Sequence, residues 1–150
     1  NDSKSIFAIF NRNLSKRREK WLNPSNKLVT IINGKFGDEY FDDLRQSKIA
    51  INIHYSDRNL DDFETGIFEA MACGCAVISE KLNSQTLVDL GIEDAILQVH
   101  YPFELRDKIQ MLKNDENLLR TYQQKSLKAI QQNTWYDRAE EFIKKFNEFI

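Results

Sequence analysis

The chain has 150 residues, of which 41% are hydrophobic, 11% aromatic and 29% charged. That composition argues against a disordered chain and supports a core burying roughly two thirds of the surface that the unfolded chain exposes. A formal charge of −2 excludes a global attraction to nucleic acid or anionic membrane, so any anion must be held by local cations.

In chain order, SIFAIF (5–10) opens as a first buried strand, because a short branched and aromatic run is followed by turn-forming Asn11. NRNLSKRREK follows, a basic island that leads into a helix over about 15–22. KLVTII (27–32) is expected as a second strand, with Gly34 after it and a helix over 38–46. KIAINIHY (48–55) is the third strand, followed by a helix over 64–73, a fourth strand AVIS (76–79), a helix over 84–90 and a fifth strand AILQV (95–99). Strand and helix alternating at this spacing predict an α/β, Rossmann-like, doubly wound parallel sheet of about five strands, since parallel neighbours need crossover helices.

Beyond residue 100 the pattern is helical only. Pro102 suits a first helical position and Phe103, Leu105, Ile109 and Leu112 share a face. A second helix is expected over about 115–131. A third opens at Thr134, with Asp137 completing a capping box. Its stripe of Trp135, Ala139, Phe142, Phe146 and Phe149 is expected to pack on the domain's own sheet or, in part, to face a partner domain. The expectation is one domain over 1–150, with the sheet over about 1–100 and a helical tail over about 101–150.

Cys73 and Cys75 lack the further ligands of a structural zinc site, and two buried free thiols in a reducing compartment are expected. No apolar run approaches the roughly 20 residues of a membrane span, and NDSKSIFAIF lacks a signal-peptide layout. The expected location is the cytoplasm, with peripheral membrane attachment only through a domain outside this sequence. The absence of an initial Met fits an excised piece of a longer protein.

Ligands of open parallel sheets bind beyond the carboxyl ends of the strands, so the loops there carry the chemistry. After the first strand, Arg12, Lys16, Arg17, Arg18 and Lys20 either hold a diphosphate or form a solvated basic surface. After the third strand, the run LDDFETGIFEAMACGCAVISE places Glu69 among Ile67, Phe68, Ala70 and Met71. A carboxylate there either accepts hydrogen bonds from a vicinal diol, as acidic side chains do with ribose, or is a surface residue.

The run FETGIFEAMACGCAVIS resembles the signature of the C-terminal, donor-binding domain of two-Rossmann-domain (GT-B) glycosyltransferases of the retaining group-1 kind. Asp61 and Glu69 bracket seven residues, with Phe63 in the place of the family's loop aromatic. IFAIFNRNLSKRREKWL is similar to that family's first strand and basic loop, and NTWYDRAEEFIKKF to the closing helix of its spore-protein-like branch. The resemblance covers nearly the whole chain and implies one half of a GT-B fold. It implies that Glu69 binds the ribose hydroxyls of a nucleotide sugar, that Asp61 approaches donor-sugar hydroxyls or orders the loop, and that backbone N–H groups around Glu64, Thr65 and Gly66 cradle the diphosphate. Arg12 with Lys16 or Arg17 would neutralise the leaving diphosphate, with Arg12, Arg17 and Asp61 as catalytic groups, and Gly34 would make room for the base.

Three positions depart from the family pattern: Asp61 replaces a Glu, Glu64 replaces a Gly, and Asn11 stands where the first loop commonly has Gly. The implied reaction is a metal-independent, hexosyl-like transfer with retention from a UDP- or GDP-linked sugar, without a prosthetic group. The acceptor would be held by an N-terminal domain or partner chain outside this sequence. In isolation this half would be inactive. The rival reading is a non-catalytic binding or structural module that kept the half-fold. A generic nucleotide-binding or receiver-type domain is disfavoured, because no Gly-x-Gly-x-x-Gly turn or phosphate loop is present.

Overall fold

The computed structural model describes residues 3–59 and 63–150. Its strands β1 (Ile6–Phe10), β2 (Thr30–Ile31), β3 (Ser47–Asn52), β4 (Ala76–Glu80) and β5 (Ile96–Val99) form one parallel sheet in the order β2-β1-β3-β4-β5. In register, Ile9 lies opposite Thr30, Ala8 opposite Ile49, Ile51 opposite Ile78 and Ile78 opposite Leu97. The helices are α1 (Lys16–Leu22), α2 (Gly37–Arg45), α3 (Gly66–Ala72), α4 (Ser84–Leu90), α5 (Pro102–Asn114), α6 (Glu116–Ile130) and α7 (Trp135–Glu148).

Alternation of side chains along each strand divides the core between the two faces. Ala8, Phe10, Ile49, Ile51 and Ile78 meet Trp21 and Leu22 of α1 and Leu105, Ile109 and Leu112 of α5 on one face. On the other, Ile9, Ala50 and Val77 meet Leu44 of α2, Ile67 and Met71 of α3, and Leu87 of α4. This is the doubly wound Rossmann-like sheet that the alternation of runs predicts.

Several boundaries differ from the sequence expectation for local reasons. The second strand is an exposed two-residue edge rather than a buried run over 27–32. The amides of Leu28 and Val29 donate to the Ser25 carbonyl in the turn after Pro24, so the ladder to β1 starts only at Thr30. Strand β3 stops at Asn52, because the next amides leave the ladder and that of His54 donates to the Glu80 side chain at 3.0 Å. Both cysteines are free, but only Cys75 is buried and Cys73 is half-buried. The Cys75 Sγ lies 3.2 Å from the Leu44 carbonyl, and burial pushes its thiol up to about 12.

The helices after residue 100 are not a uniform tail. Helix α5 covers one face of the sheet, while α6 crosses the amino ends of the central strands. Gln123 Nε2 donates to the Lys48 carbonyl at 3.2 Å, at the start of β3, and Leu127 sits over Gly74, just before β4. At the far end of α6, Asn133 Nδ2 donates to the carbonyls of Leu90 and Ala129 at 3.0 and 2.8 Å, joining α6 to the end of α4.

Helix α7 begins with the capping box the sequence predicts: the Thr134 amide donates to Asp137 Oδ2 at 2.8 Å and the Asp137 amide to Thr134 Oγ1 at 3.2 Å. Its apolar stripe does not pack on the sheet. No residue of α7 is buried, and Trp135, Phe142 and Phe149 are 88%, 69% and 91% exposed. Both faces of the sheet are already occupied by α1 and α5 and by α2, α3 and α4, which leaves the stripe no place there. No helix among the described residues is long and apolar enough to cross a membrane.

These two environments predict opposite outcomes. Ile109→Ala, at a fully buried site, should cost about 2–5 kcal/mol in urea unfolding, whereas Phe142→Ser should change stability by no more than about 0.5 kcal/mol. A large loss at Phe142 would place α7 against the body of the domain.

Candidate functional site

The chain leaves β1 toward β2 on one side and returns to β3 on the other, so the winding reverses between β1 and β3. A reversal of this kind opens a crevice at the carboxyl ends of the strands. A cleft of about 410 Å³ lies there. Asn11, Arg12 and Asn13 after β1, with Arg18 of α1, form one part of its wall; Lys35 and Phe36 after β2, with Tyr40 of α2, form another. Tyr55 after β3 and Thr65, Gly66 and Glu69 complete it.

One part of the cleft is cationic, and the fold of α1 explains why Arg18 belongs to it. The Ser15 hydroxyl caps the helix by accepting from the Arg18 amide at 3.2 Å, and it donates to the Tyr55 carbonyl at 3.0 Å. That cap starts α1 so that Arg18 turns inward. Its Nε donates to the Ile53 carbonyl and its Nη1 to the Asn13 carbonyl, both at 2.8 Å, while its guanidinium faces the rings of Phe10 and Tyr55. Burial pushes the Arg18 pKa down, but a guanidinium keeps its charge inside proteins. Arg12 reaches the same place from the loop. Its guanidinium lies against Gly66, where an added Cβ would stand 1.5 Å from Nη2.

Glu64 joins these cations. Its Oε2 is 3.6 Å from Arg12 Nη1 and 3.5 Å from Arg18 Nη2, and its Oε1 is 3.3 Å from Nδ1 of the fully buried His54. The other ring nitrogen, Nε2, is 2.8 Å from the Lys81 carbonyl. Both imidazole nitrogens therefore face acceptors, an arrangement that only the doubly protonated ring satisfies. Burial works against that charge, yet the bonds to Glu64 and the Lys81 carbonyl, with the nearby Glu80 charge, outweigh it and hold the His54 pKa above its ordinary value.

A different chemistry faces the cleft from α2 and α3. The Tyr40 hydroxyl donates to Glu69 Oε2 at 2.8 Å. Burial, opposed by the Arg12 charge and reinforced by the bond to Glu69, pushes the Tyr40 phenol well above its usual value. It remains a donor. Glu69 is thereby oriented with acceptor capacity left over, as a carboxylate that receives hydroxyl groups requires. Lys35 is held beside Asp43 at 3.0 Å, and Phe36 stands exposed at the rim.

The sequence-predicted residues divide accordingly. Arg12, Thr65, Gly66 and Glu69 come together in the cleft, with Glu64 bound to its two arginines. Arg17 does not line it. Its guanidinium grips Glu80 through two hydrogen bonds, donates to the His54 carbonyl at 3.1 Å and to Asp57 Oδ1 at 2.6 Å, and these partners, Glu80 foremost, raise its pKa. Lys16 is exposed outside the lining. Phe63 packs on Phe68, with ring centroids 4.9 Å apart. Gly34 is also outside the lining, but its φ of +78° turns the backbone toward Lys35 and Phe36. Asp61 lies outside the described residues. Sequence reasoning missed Tyr40; it placed Arg18 in the basic island but carried Lys16 or Arg17 beside Arg12 instead, although Ser15 as an N-cap was a signal for the inward turn of Arg18.

A sequence model described as "Glycosyl transferase-like" matches residues 15–144. The chain belongs to this glycosyl transferase-like family. No curated protein matches it in sequence. Among solved structures it is similar to a sucrose-phosphate synthase from Thermosynechococcus elongatus, with a TM-score of 0.65, 20% identity and 94% of this chain covered. The likeness is one of fold, that of one Rossmann-like half of a GT-B protein, and this chain spans 37% of that synthase chain.

The His54 contacts carry a pH dependence of known sign. A pKa raised in the folded state adds stability that is complete below the ordinary value of 6.5 and is lost as pH rises through the folded value. Urea midpoints of the wild type should therefore fall as pH climbs above 6.5, and His54→Gln should flatten that fall. Parallel profiles would assign the dependence to other groups.

Proposed function

We propose that this chain is the C-terminal, donor-binding half of a retaining glycosyltransferase of the spore-protein-like branch. It would act on a UDP- or GDP-linked sugar, with the acceptor held by an N-terminal domain or partner chain. The observation that carries the reading is the pairing, within one cleft, of two guanidiniums from the β1 loop and α1 with a carboxylate on α3 that is free to accept hydroxyls.

On this reading Glu69 accepts the ribose diol, and Tyr40 fixes the carboxylate for it. Arg12 and Arg18 face the diphosphate. When the bond from sugar to phosphate breaks, negative charge grows on the leaving diphosphate, and fixed guanidiniums stabilise it without reorganising. This supplies the electrostatic help that a metal-independent transfer needs. Phe36, at the rim, offers a ring to the base, and the turn at Gly34 carries it there. Retention, the acceptor and the spore-protein-like assignment rest on the sequence resemblance.

Calorimetric titration with UDP and GDP tests the proposal. Saturable binding to at least one is expected, and none at millimolar concentration would refute it. Glu69→Ala should weaken binding by about 1.5–3 kcal/mol, the range for hydrogen bonds to a charged group. Gly66→Ala should also weaken it, since the new methyl must push the Arg12 guanidinium from its place, while the fold is retained. Unchanged affinity in both folded variants would locate the nucleotide elsewhere.

A further inference from the structure

The Glu64 carboxylate raises a question of charge. It is surrounded by Arg12, Arg18 and His54 at 3.6, 3.5 and 3.3 Å, so a single negative group faces three cationic side chains when the imidazole is protonated. Among the described residues the neighbouring acids are committed elsewhere: Glu80 to Arg17 and the His54 amide, Asp57 to Arg17, and Glu69 to Tyr40. Among these described groups, more positive than negative charge therefore faces Glu64.

The geometry of the contacts is as informative as their number. Charge-assisted hydrogen bonds between nitrogen and oxygen are typically about 2.7–2.9 Å long. Both arginine contacts to Glu64 exceed that by more than half an ångström. One carboxylate oxygen stands between the two guanidiniums without closing tightly on either. Arg18 cannot move to improve the fit, because its Nε and Nη1 are held by the Ile53 and Asn13 carbonyls at 2.8 Å. The arginines are thus spaced for an anion with more oxygens than a carboxylate can present.

We propose that Glu64 is the resident counter-ion of the phosphate-binding part of the cleft, a specificity-determining residue that a diphosphate must displace from Arg12 and Arg18. The inference rests on the donor-site reading. Displacement leaves Glu64 in contact with His54, so neither group is stranded. A ligand that brings no phosphate leaves Glu64 where it is and gains nothing from its removal. One whose phosphate oxygens reach both guanidiniums competes with it directly, so the wild-type affinity for a diphosphate is the surplus over the internal ion contact.

The test compares wild type with Glu64→Gln, which keeps the shape and removes the charge, in titrations with UDP, GDP and uridine at low salt. The variant should bind the nucleoside diphosphates about tenfold more tightly, the effect expected for relieving one partly buried charge contact. Its affinity for uridine, followed by NMR shifts, should not change. Glu64→Asp, whose shorter arm draws the charge back from the arginines, should also bind UDP or GDP more tightly and serves if the Gln variant fails to fold. Binding of a nucleoside diphosphate by wild type with equal or weaker binding by the variants would overturn the inference alone, and show Glu64 to be a brace for the loop. An equal gain for uridine would overturn it too. Failure of every protein to bind UDP or GDP would overturn the donor-site reading and this inference together.

Discussion

An ion pair between the half-buried Arg17 and the buried Glu80 fixes the frame on which the cleft is built. Arg17 is on α1, after β1, and Glu80 closes β4, so the contact spans the carboxyl edge of the sheet behind β3. Glu80 also receives the His54 amide, which binds the end of β3 into the same point. Removing one partner of such a pair leaves the other charged and buried, which is far more damaging than never having built the pair. With α1 locked this way, the adjacent Arg18 is turned toward the Ile53 and Asn13 carbonyls and the cleft. One arginine holds the helix; its neighbour is available for chemistry.

The two parts of the cleft use different physics. The arginine part works through charge in a place where burial amplifies it and screening by salt is weak. The Glu69 part works through direction: a neutral phenol, kept protonated by burial, holds a carboxylate in one orientation. The first kind of interaction reaches over distance and is tolerant of angle. The second is short and demands alignment. A molecule with a dense anionic group and a pair of adjacent hydroxyls satisfies both, and the family to which the chain belongs is one that handles sugars.

The fold was legible because the buried strands are short runs of branched and aromatic residues at regular intervals, and β1, β3, β4 and β5 all have that character. The second strand was overread, since KLVTII is apolar throughout although Leu28 and Val29 are claimed by a turn. Glu69 was legible as a polar interruption in an apolar helix. Arg17 and Arg18 were not separable by composition: they are adjacent, chemically identical, and divided only by the angle between successive residues on a helix and by Glu80, a residue far along the chain. Tyr40 was hidden because an aromatic on the apolar side of α2 reads as core. The stripe on α7 reads the same way, and no local pattern reveals that both faces of the sheet are already covered.

Helix α6 has a consequence for how the chain acquires this structure. Gln123 meets Lys48 across 75 positions of sequence, and Asn133 meets Leu90 across 43. The amino ends of β3 and β4 thus stay uncapped until α6 has left the ribosome, although the five strands of the sheet have emerged by Val99. During synthesis at about 5–20 residues per second, a nascent sheet waits several seconds with apolar edges open. Segments made after the sheet close the domain, and a chain interrupted before α6 would expose those edges to its neighbours.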